Sequence, residues 1–245
     1  RMHIPILATL ENVEIVAGAE INPAQAERTQ QRFGIPRIYS DCNEMLDKER
    51  LDAVYVCLPS FLHDEVARAA LQKGLHVLCE KPMGLSADQA YELVCEAERR
   101  HLALVPGYQL RFSDNYRRGK ELIAARRLGK ILQVQGVIIN PGPYAGWDPK
   151  SEWYYDPRGC GVLYDLGCHL LDLAFFLCDL EITEVYARSA ISLPGLEVPD
   201  GVSVVFSTNS HILGSLNLGW STGATFDMLQ VHGTGGSLLL SSQSF

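Results

Sequence analysis

Two short segments carry side chains whose types and spacing suit the handling of protons and charge. The first is Cys79-Glu80-Lys81-Pro82, which closes the apolar run 75–79. A strand this apolar is buried on both faces, and its C-terminal end is where open parallel sheets bind ligands. Lys81 is therefore placed to be partly desolvated and tuned toward proton transfer or charge stabilisation, against the commoner fate of a solvated lysine beside a surface Glu80. The second segment spans 159–169, in which glycines lead into a helix. On that helix Asp165, His169 and Asp172 recur at i, i+4 and i+7 and share a face, while Leu163, Leu166, Leu170, Leu173 and Leu177 cover an adjacent one. So apolar a helix belongs in a core. Its histidine and two acids then face a cleft, or else serve as cap and ion pairs.

A third position is Glu20, at the end of the apolar run 13–19. An acid at that point suits the adenosine ribose of a dinucleotide, although acids after strands are common on surfaces. Cys160, Cys168 and His169 lack the short ligand spacing of a zinc site, so no metal is expected. Neither cysteine has a feature that marks it as a thiolate nucleophile.

These residues need a scaffold, and the chain supplies the pattern of one. From residue 13 to 105 short β-rich runs alternate with helical stretches, the grammar of βαβ units feeding a parallel sheet. Asn22-Pro23 opens a helix that Gly34 ends; 52–58 and 75–79 are buried strands. Between them lies a helix with Leu62, Val66, Ala69 and Ala70 on one side, and Ser86 with Gln89 caps a helix over 87–101. After Gly107 the grammar changes. A helix near 114–126, a strand over 130–139 and a loop over 140–161 precede the apolar helix 163–178, and five strand-like runs follow it. This predicts an α+β domain with a largely antiparallel sheet covered on one face.

The 245 residues carry 21 Lys plus Arg against 29 Asp plus Glu, a formal charge of -8, which speaks against nucleic acid or anionic lipid as partner. The longest stretch free of charged residues, 201–226, is broken by Ser, Thr, Asn, Gly and His, so no membrane partner is expected. Seven cysteines without a C-x-x-C pair fit a reduced, cytoplasmic protein.

Together and in this order, Glu20 with Asn22-Pro23, Leu58-Pro59-Ser60-Phe61-Leu62-His63, Gly74 to Pro82, Gly107-Tyr108-Gln109-Leu110-Arg111-Phe112 and the 165–172 helix resemble the glucose-fructose oxidoreductase and inositol dehydrogenase family, Gfo/Idh/MocA. The resemblance implies an α/β fold, with a Rossmann-type nucleotide domain over 1–107 and an open-faced sheet domain over 108–245. It implies an NAD(P)-dependent dehydrogenase acting on a sugar, cyclitol or related polyol. Lys81 and His169 would be the catalytic pair and Asp165 their partner, orienting and charge-stabilising the imidazole. Glu20, Pro59, Ser60, His63, Glu80, Lys81 and Gln109 would line the cofactor. Arg111, Trp153, Tyr155, Asp165 and His169 would meet the substrate, with Tyr154 in the same loop. Glu20 favours NAD over NADP, because its carboxylate repels a 2′-phosphate. A homo-oligomer, dimer or tetramer, is expected through the open sheet. Two other readings stand beside the dehydrogenase: a non-catalytic sensor on the same fold, and a glycosidase or lyase that recycles bound NAD.

The family opens with a strand and a G-x-G-x-x-G loop and continues beyond the Gly233-Thr234-Gly235-Gly236-Ser237 turn, whereas this sequence starts at the helix after that loop and stops at Phe245. The expectation is a chain shortened at both ends that binds NAD weakly by itself. Cys160 and Cys168 are expected to make the site sensitive to thiol reagents.

Overall fold

The computed structural model describes residues 3–144, 152–159 and 161–242. The chain divides into two compact units, one of Arg1–Cys57, Leu62–Cys79 and Ala87–Val105, the other of Leu58–Phe61, Glu80–Ser86 and Pro106–Phe245. The segments holding Pro59, Ser60, Glu80 and Lys81 thus group with the second unit rather than with the strands they follow.

In the first unit α1 (His3–Leu7) is a short turn tied to the sheet by a 2.8 Å hydrogen bond between His3 Nδ1 and the Tyr55 hydroxyl. β1 (Ala17–Ala19) precedes α2 (Pro23–Phe33), which starts and stops for local reasons. Asn22 Oδ1 accepts the Gln25 N–H, Pro23 fixes the first turn, and Gly34 at φ 65 closes the helix in the left-handed region. β2 (Arg37–Tyr39) pairs in parallel with β1. α3 (Cys42–Lys48) is a helix the sequence reading passed over; Asp41 caps it and Met45 and Leu46 are its buried residues.

β3 (Ala53–Val56), α4 (His63–Gln72), β4 (His76–Cys79), α5 (Ala87–Arg99) and β5 (Leu104–Pro106) complete the alternation. β3 and β4 are parallel, and β5 lies beyond β4. Among the described residues β1 and β3 share no ladder, so the alternation gives two small sheets rather than one continuous sheet. α4 buries His63, Ala67, Ala70 and Leu71, a face turned by about one position from the stripe through Leu62, Val66 and Ala69. Leu62, which anchored that stripe, lies outside the helix, in the 3-10 turn Ser60–Leu62 through which the chain enters it.

The second unit is built around α6 (Asp114–Ala124), β6 (Ile131–Ile139), α7 (Cys168–Cys178) and the strands β7 (Ile182–Ala190), β8 (Gly201–Thr208), β9 (Leu213–Gly219), β10 (Phe226–Gly233) and β11 (Gly236–Leu240). The six strands form one sheet in the order β11-β10-β6-β9-β8-β7, in which β6 and β9 run parallel and the remaining neighbours antiparallel.

One face of this sheet carries α7. Leu170, Leu173 and Leu177 pack with Val134, Leu216, Leu218, Phe206, Leu229 and Val231 in the buried core. Each leucine so enclosed contributes about 1.5–3 kcal/mol. The helix approaches closely at Gly136, where a Cβ would come within 3.0 Å of Leu170 Cδ1 and 2.9 Å of Leu216 Cδ2. That approach fixes the height of α7 above the sheet, and with it the side chains on the other side of the helix.

Candidate active site

The side chains singled out at 81 and 165–172 meet within the second unit. Gly161, at φ 66, makes the turn into the helix; a Cβ there would lie 2.5 Å from the Pro199 carbonyl oxygen. The Val162 N–H donates to that same oxygen at 3.0 Å, which anchors the first turn. The helix then begins with a π-helical stretch, Leu163–Gly167, before continuing as α7. Tyr164 fastens the 80–86 segment to it by donating its hydroxyl to the Leu85 carbonyl oxygen at 2.9 Å. The Lys81–Pro82 peptide in that segment is cis.

Lys81 Nζ donates to Asp165 twice, to Oδ1 at 2.7 Å and to the main-chain carbonyl oxygen at 2.8 Å. Both side chains are largely enclosed, at 16% and 12% exposure. Burial alone would lower the lysine's pKa; the Asp165 carboxylate outweighs it and holds Lys81 above its ordinary value, so the ammonium is charged at neutral pH.

His169, 8% exposed, opens the α-helical part on the next turn. Burial first, and the Lys81 charge second, push its imidazole down to about 3, so it is neutral across the working pH range. The Tyr108 ring meets it edge-on with centroids 6.4 Å apart. Asp172, three residues on, is gripped by Arg111: Nε donates to Oδ2 at 2.7 Å and Nη2 to Oδ1. Burial raises the Asp172 pKa while Arg111 opposes it. The guanidinium, 41% exposed, also lies over the Phe176 ring at 5.4 Å.

The expected bond from Asp165 to the imidazole is not made. Asp165 Oδ2 and His169 Nδ1 are both buried without a partner among the described residues. Asp165 lies in the π-helical stretch, and its carboxylate turns to Lys81 instead. The three residues thus stand as an ion pair beside a neutral base, with two unsatisfied polar atoms to receive a ligand. A buried ammonium can steady a developing oxyanion, and a neutral imidazole can take a proton.

Of the other residues named from sequence, Ser60 is buried in the second unit near Gly159, Gln109 is exposed, and Pro59 and Glu80 are half-buried. Trp153 and Tyr154 stack at 3.7 Å, and Tyr154 also meets the Trp220 ring edge-on, so Tyr154 packs against the core while Trp153 and Tyr155 on either side of it are half-buried. In the first unit Glu20 ends β1, with Oε1 accepting the Asn22 N–H at 2.9 Å, while His63 is enclosed at 1% exposure. Tyr108 is the site residue that sequence reasoning misses; its place directly before Gln109, in the motif that also carries Arg111, is the signal that points to it.

Cys160 lies outside the described residues, and with it the weighed metal set and half of the thiol expectation. For Cys168 the surroundings argue against that expectation: burial, with Asp165 and Asp172 nearby, pushes the thiol up to about 12 against the pull of Lys81. Brief iodoacetamide treatment at pH 7.5 is therefore expected to alkylate exposed Cys57 and Cys95 and to spare Cys168, as read by peptide mass spectrometry. Equal labelling of Cys168 would contradict the geometry.

This arrangement can be set beside known proteins. A family model described as "Oxidoreductase family, NAD-binding Rossmann fold" matches residues 1–108, and one described as "GFO/IDH/MocA C-terminal domain" matches 116–239. An uncharacterized oxidoreductase of Schizosaccharomyces pombe is 32% identical over 207 residues, 83% of this chain and 55% of that protein. The glucose-6-phosphate 3-dehydrogenase of Bacillus subtilis is 29% identical over 219 residues, 88% of this chain and 61% of its own length. Among solved structures, GenD2 from gentamicin A biosynthesis in complex with NAD superposes with a TM-score of 0.89 at 25% identity, covering 97% of this chain and 68% of that one. This chain thus spans between half and two thirds of the length of these curated relatives. Both halves match, each by its own model and in the family's order, and the chain belongs to the Gfo/Idh/MocA family of oxidoreductases.

Proposed function

We propose that the protein is a nicotinamide-dependent dehydrogenase that moves a hydride between NAD(P) and a hydroxyl-bearing carbon of a sugar, cyclitol or related polyol. The observation that carries this reading is the Lys81 ammonium held beside a neutral, buried His169 whose Nδ1 has no partner. His169 takes the proton of the substrate hydroxyl, Lys81 steadies the alkoxide that forms, and Asp165 holds Lys81 charged and in place. Arg111, with Trp153 and Tyr155, takes the substrate side.

The residues present fit a nicotinamide dinucleotide on two counts. Glu20 is oriented by the Asn22 N–H through one oxygen, which leaves the other for a ribose hydroxyl, and its charge favours NAD over NADP. The buried, unpartnered Asp165 Oδ2 and His169 Nδ1 offer polar contacts beside Lys81. Pro59, Ser60, His63, Glu80, Lys81 and Gln109 complete the proposed cofactor set. When bound, NAD supplies the hydride acceptor. The test is a screen of sugars, sugar acids and inositols with NAD and with NADP, following absorbance of the reduced nicotinamide. Reduction with at least one polyol, faster with NAD, supports the reading; cofactor binding without turnover of any of them overturns it.

The open face of the second unit's sheet supports a homo-oligomer. In register across it run Leu239, Gln230, Gln135, Ser215, Val205 and Tyr186, with Leu239, Val205 and Tyr186 exposed. This row of apolar and uncharged polar side chains, flanked on β7 by Glu184 and Arg188, suits burial against a second copy with charge kept to the rim. Light scattering is expected to return the mass of two or four chains; a monomer at micromolar concentration excludes this assembly. The cysteine usage, seven residues without a C-x-x-C pair, supports a cytoplasmic, reducing compartment.

A further inference from the structure

β7 ends the second unit's sheet: it carries a ladder to β8 and, among the described residues, none on its other side. It is exposed from Thr183 to Ala190, on both faces, whereas β8 beside it alternates buried and exposed. The register with β8 sorts its side chains. Val185 and Ala187 stand opposite Phe206 and Val204, both buried, and so lie on the helix-bearing face. Glu184, Tyr186 and Arg188 stand opposite Ser207, Val205 and Ser203 on the open face. Val185 is 63% and Tyr186 65% exposed, so the edge is apolar on both sides of the sheet. Free edges are commonly blunted by shortness, by Pro or Lys, or by a bulge. β7 has nine residues and neither Pro nor Lys, and its register irregularity lies between Ile182 and Glu184, which leaves 184–190 regular.

The strand's own sequence indicates what fits this edge. Antiparallel pairing of β7 with itself is a two-fold operation about an axis normal to the sheet. Opposed residues then share a face, so the axis passes through a residue rather than between two. With the axis at Val185, Glu184 meets Tyr186 and Arg188 meets Ile182. At Ala187, Arg188 meets Tyr186 and Glu184 meets Ala190. At Tyr186, Glu184 of each copy meets Arg188 of the other, so the strand forms two opposite-charge pairs with itself. The two Tyr186 rings then oppose each other on the open face, and Val185 opposes Ala187 on the helix-bearing face. Both charged groups are available: Glu184 accepts the Ser207 hydroxyl at 3.1 Å, and Arg188 is exposed without an ion pair among the described residues.

We propose that β7 is a docking edge for a second copy of this chain, the two strands pairing antiparallel about a two-fold axis at Tyr186 and joining two six-stranded sheets into one. Main-chain hydrogen bonds supply the attachment and the two charge pairs set the register. This contact runs along the sheet's edge and is separate from burial of the open face; the two together assemble four chains where either alone assembles two. It does not depend on the dehydrogenase reading.

The test exchanges the charges. Arg188→Glu sets two carboxylates against each other at both ends of the paired segment, and Glu184→Arg sets two guanidinium groups there. Each is expected to raise the dissociation constant of the edge contact at least about tenfold, read by sedimentation velocity. The double variant Glu184→Arg/Arg188→Glu restores both pairs with their signs exchanged and is expected to return to within a few-fold of wild type. Both positions are exposed, and circular dichroism is expected to report the wild-type fold for all three. Geometry is read by cross-linking. In a background with the exposed Cys57 and Cys95 replaced by serine, Val185→Cys protein is mixed with Ala187→Cys protein and treated with dibromobimane, which joins only thiols a few ångström apart. Mass spectrometry is expected to find peptide 185 of one copy joined to peptide 187 of another. Both side chains lie on the helix-bearing face, which a copy packed on the open face does not reach, so the open-face contact cannot produce that link. Single reversals that leave the mass distribution unchanged, a double variant no better than the singles, or absence of the 185-to-187 link each overturns the edge pairing. Each can arrive with the open-face assembly and dehydrogenase activity present or absent.

Discussion

Lys81→Met is expected to lower kcat/KM for polyol oxidation by about 10²–10³, the range seen when one donor to a developing oxyanion is removed. Methionine keeps most of the length and apolar stem of lysine and loses the ammonium, so little cavity confuses the result. In the proposed reaction, the alkoxide formed as His169 takes the hydroxyl proton then has no cation beside it. The effect falls on kcat more than on KM, since the neutral hydroxyl of the ground state gains less from the ammonium than the alkoxide does. The substitution also leaves Asp165 largely enclosed without its cation. Breaking a buried pair costs about 3–5 kcal/mol; the lower end applies here, because both groups keep some exposure and the orphaned carboxyl can take a proton. Urea unfolding measures that loss separately from turnover. Lys81→Arg is the companion variant. It keeps the charge, but its planar fork does not match one carbonyl oxygen and one carboxylate oxygen of the same residue, so rescue should be partial. Turnover within a few-fold of wild type in the methionine variant would remove Lys81 from the chemistry.

The ingredients of this site were legible in the sequence; their connections were not. Lys81 could be found because 75–79 reads as a strand, which leaves the next charged residues at its end; the expected burial on both faces is not observed, since β4 buries Val77 and Cys79 and exposes His76 and Leu78. His169 and the acids could be found because five leucines marked the helix as core, and polar groups on such a helix need a reason. The pairing of Asp165 with Lys81, 84 residues away in the sequence, is a tertiary contact that local spacing does not encode, and nothing in Leu163-Tyr164-Asp165-Leu166-Gly167 announces the π-helical winding observed there. The buried face of α4 lies one position from the stripe, and Leu62, which anchored the stripe, belongs to the 3-10 turn before the helix. Periodicity identifies an element and its general face. α3 was passed over for a different reason. Its seven residues are too few for a periodic signal, and only Asp41 at its cap betrays it. The grouping of 58–61 and 80–86 with the second unit depends on tertiary contacts, which no local pattern encodes.

His169→Asn is expected to reduce kcat by about 10²–10⁴, the usual contribution of a positioned general base, with KM little changed. It should also remove a pH dependence of stability whose sign follows from the site. The imidazole lies at about 3 in the folded chain, through burial and then Lys81, and near 6.5 once unfolded. Above pH 6.5 it is neutral in both states and its stabilising contribution is fully present. As pH falls below 6.5 the unfolded chain binds a proton that the folded chain refuses, and stability is lost at about 1.4 kcal/mol per pH unit until the folded group titrates near 3. Carboxylates also titrate over part of this window, so the readout is the difference between wild-type and variant unfolding curves, which cancels them. Asparagine does not titrate, and the difference should grow with a slope of one proton from pH 6.5 downward. A flat difference would mean that His169 is solvated and of ordinary basicity. The same neutrality bears on rate: kcat/KM of the wild type should show no acid limb from His169 near pH 6.5, since the free protein already holds the imidazole unprotonated. A low affinity for protons is the cost of that readiness. The base becomes effective only as charge develops on the substrate oxygen, which Lys81 stabilises, so the double variant Lys81→Met/His169→Asn should lose less than the product of the two single losses.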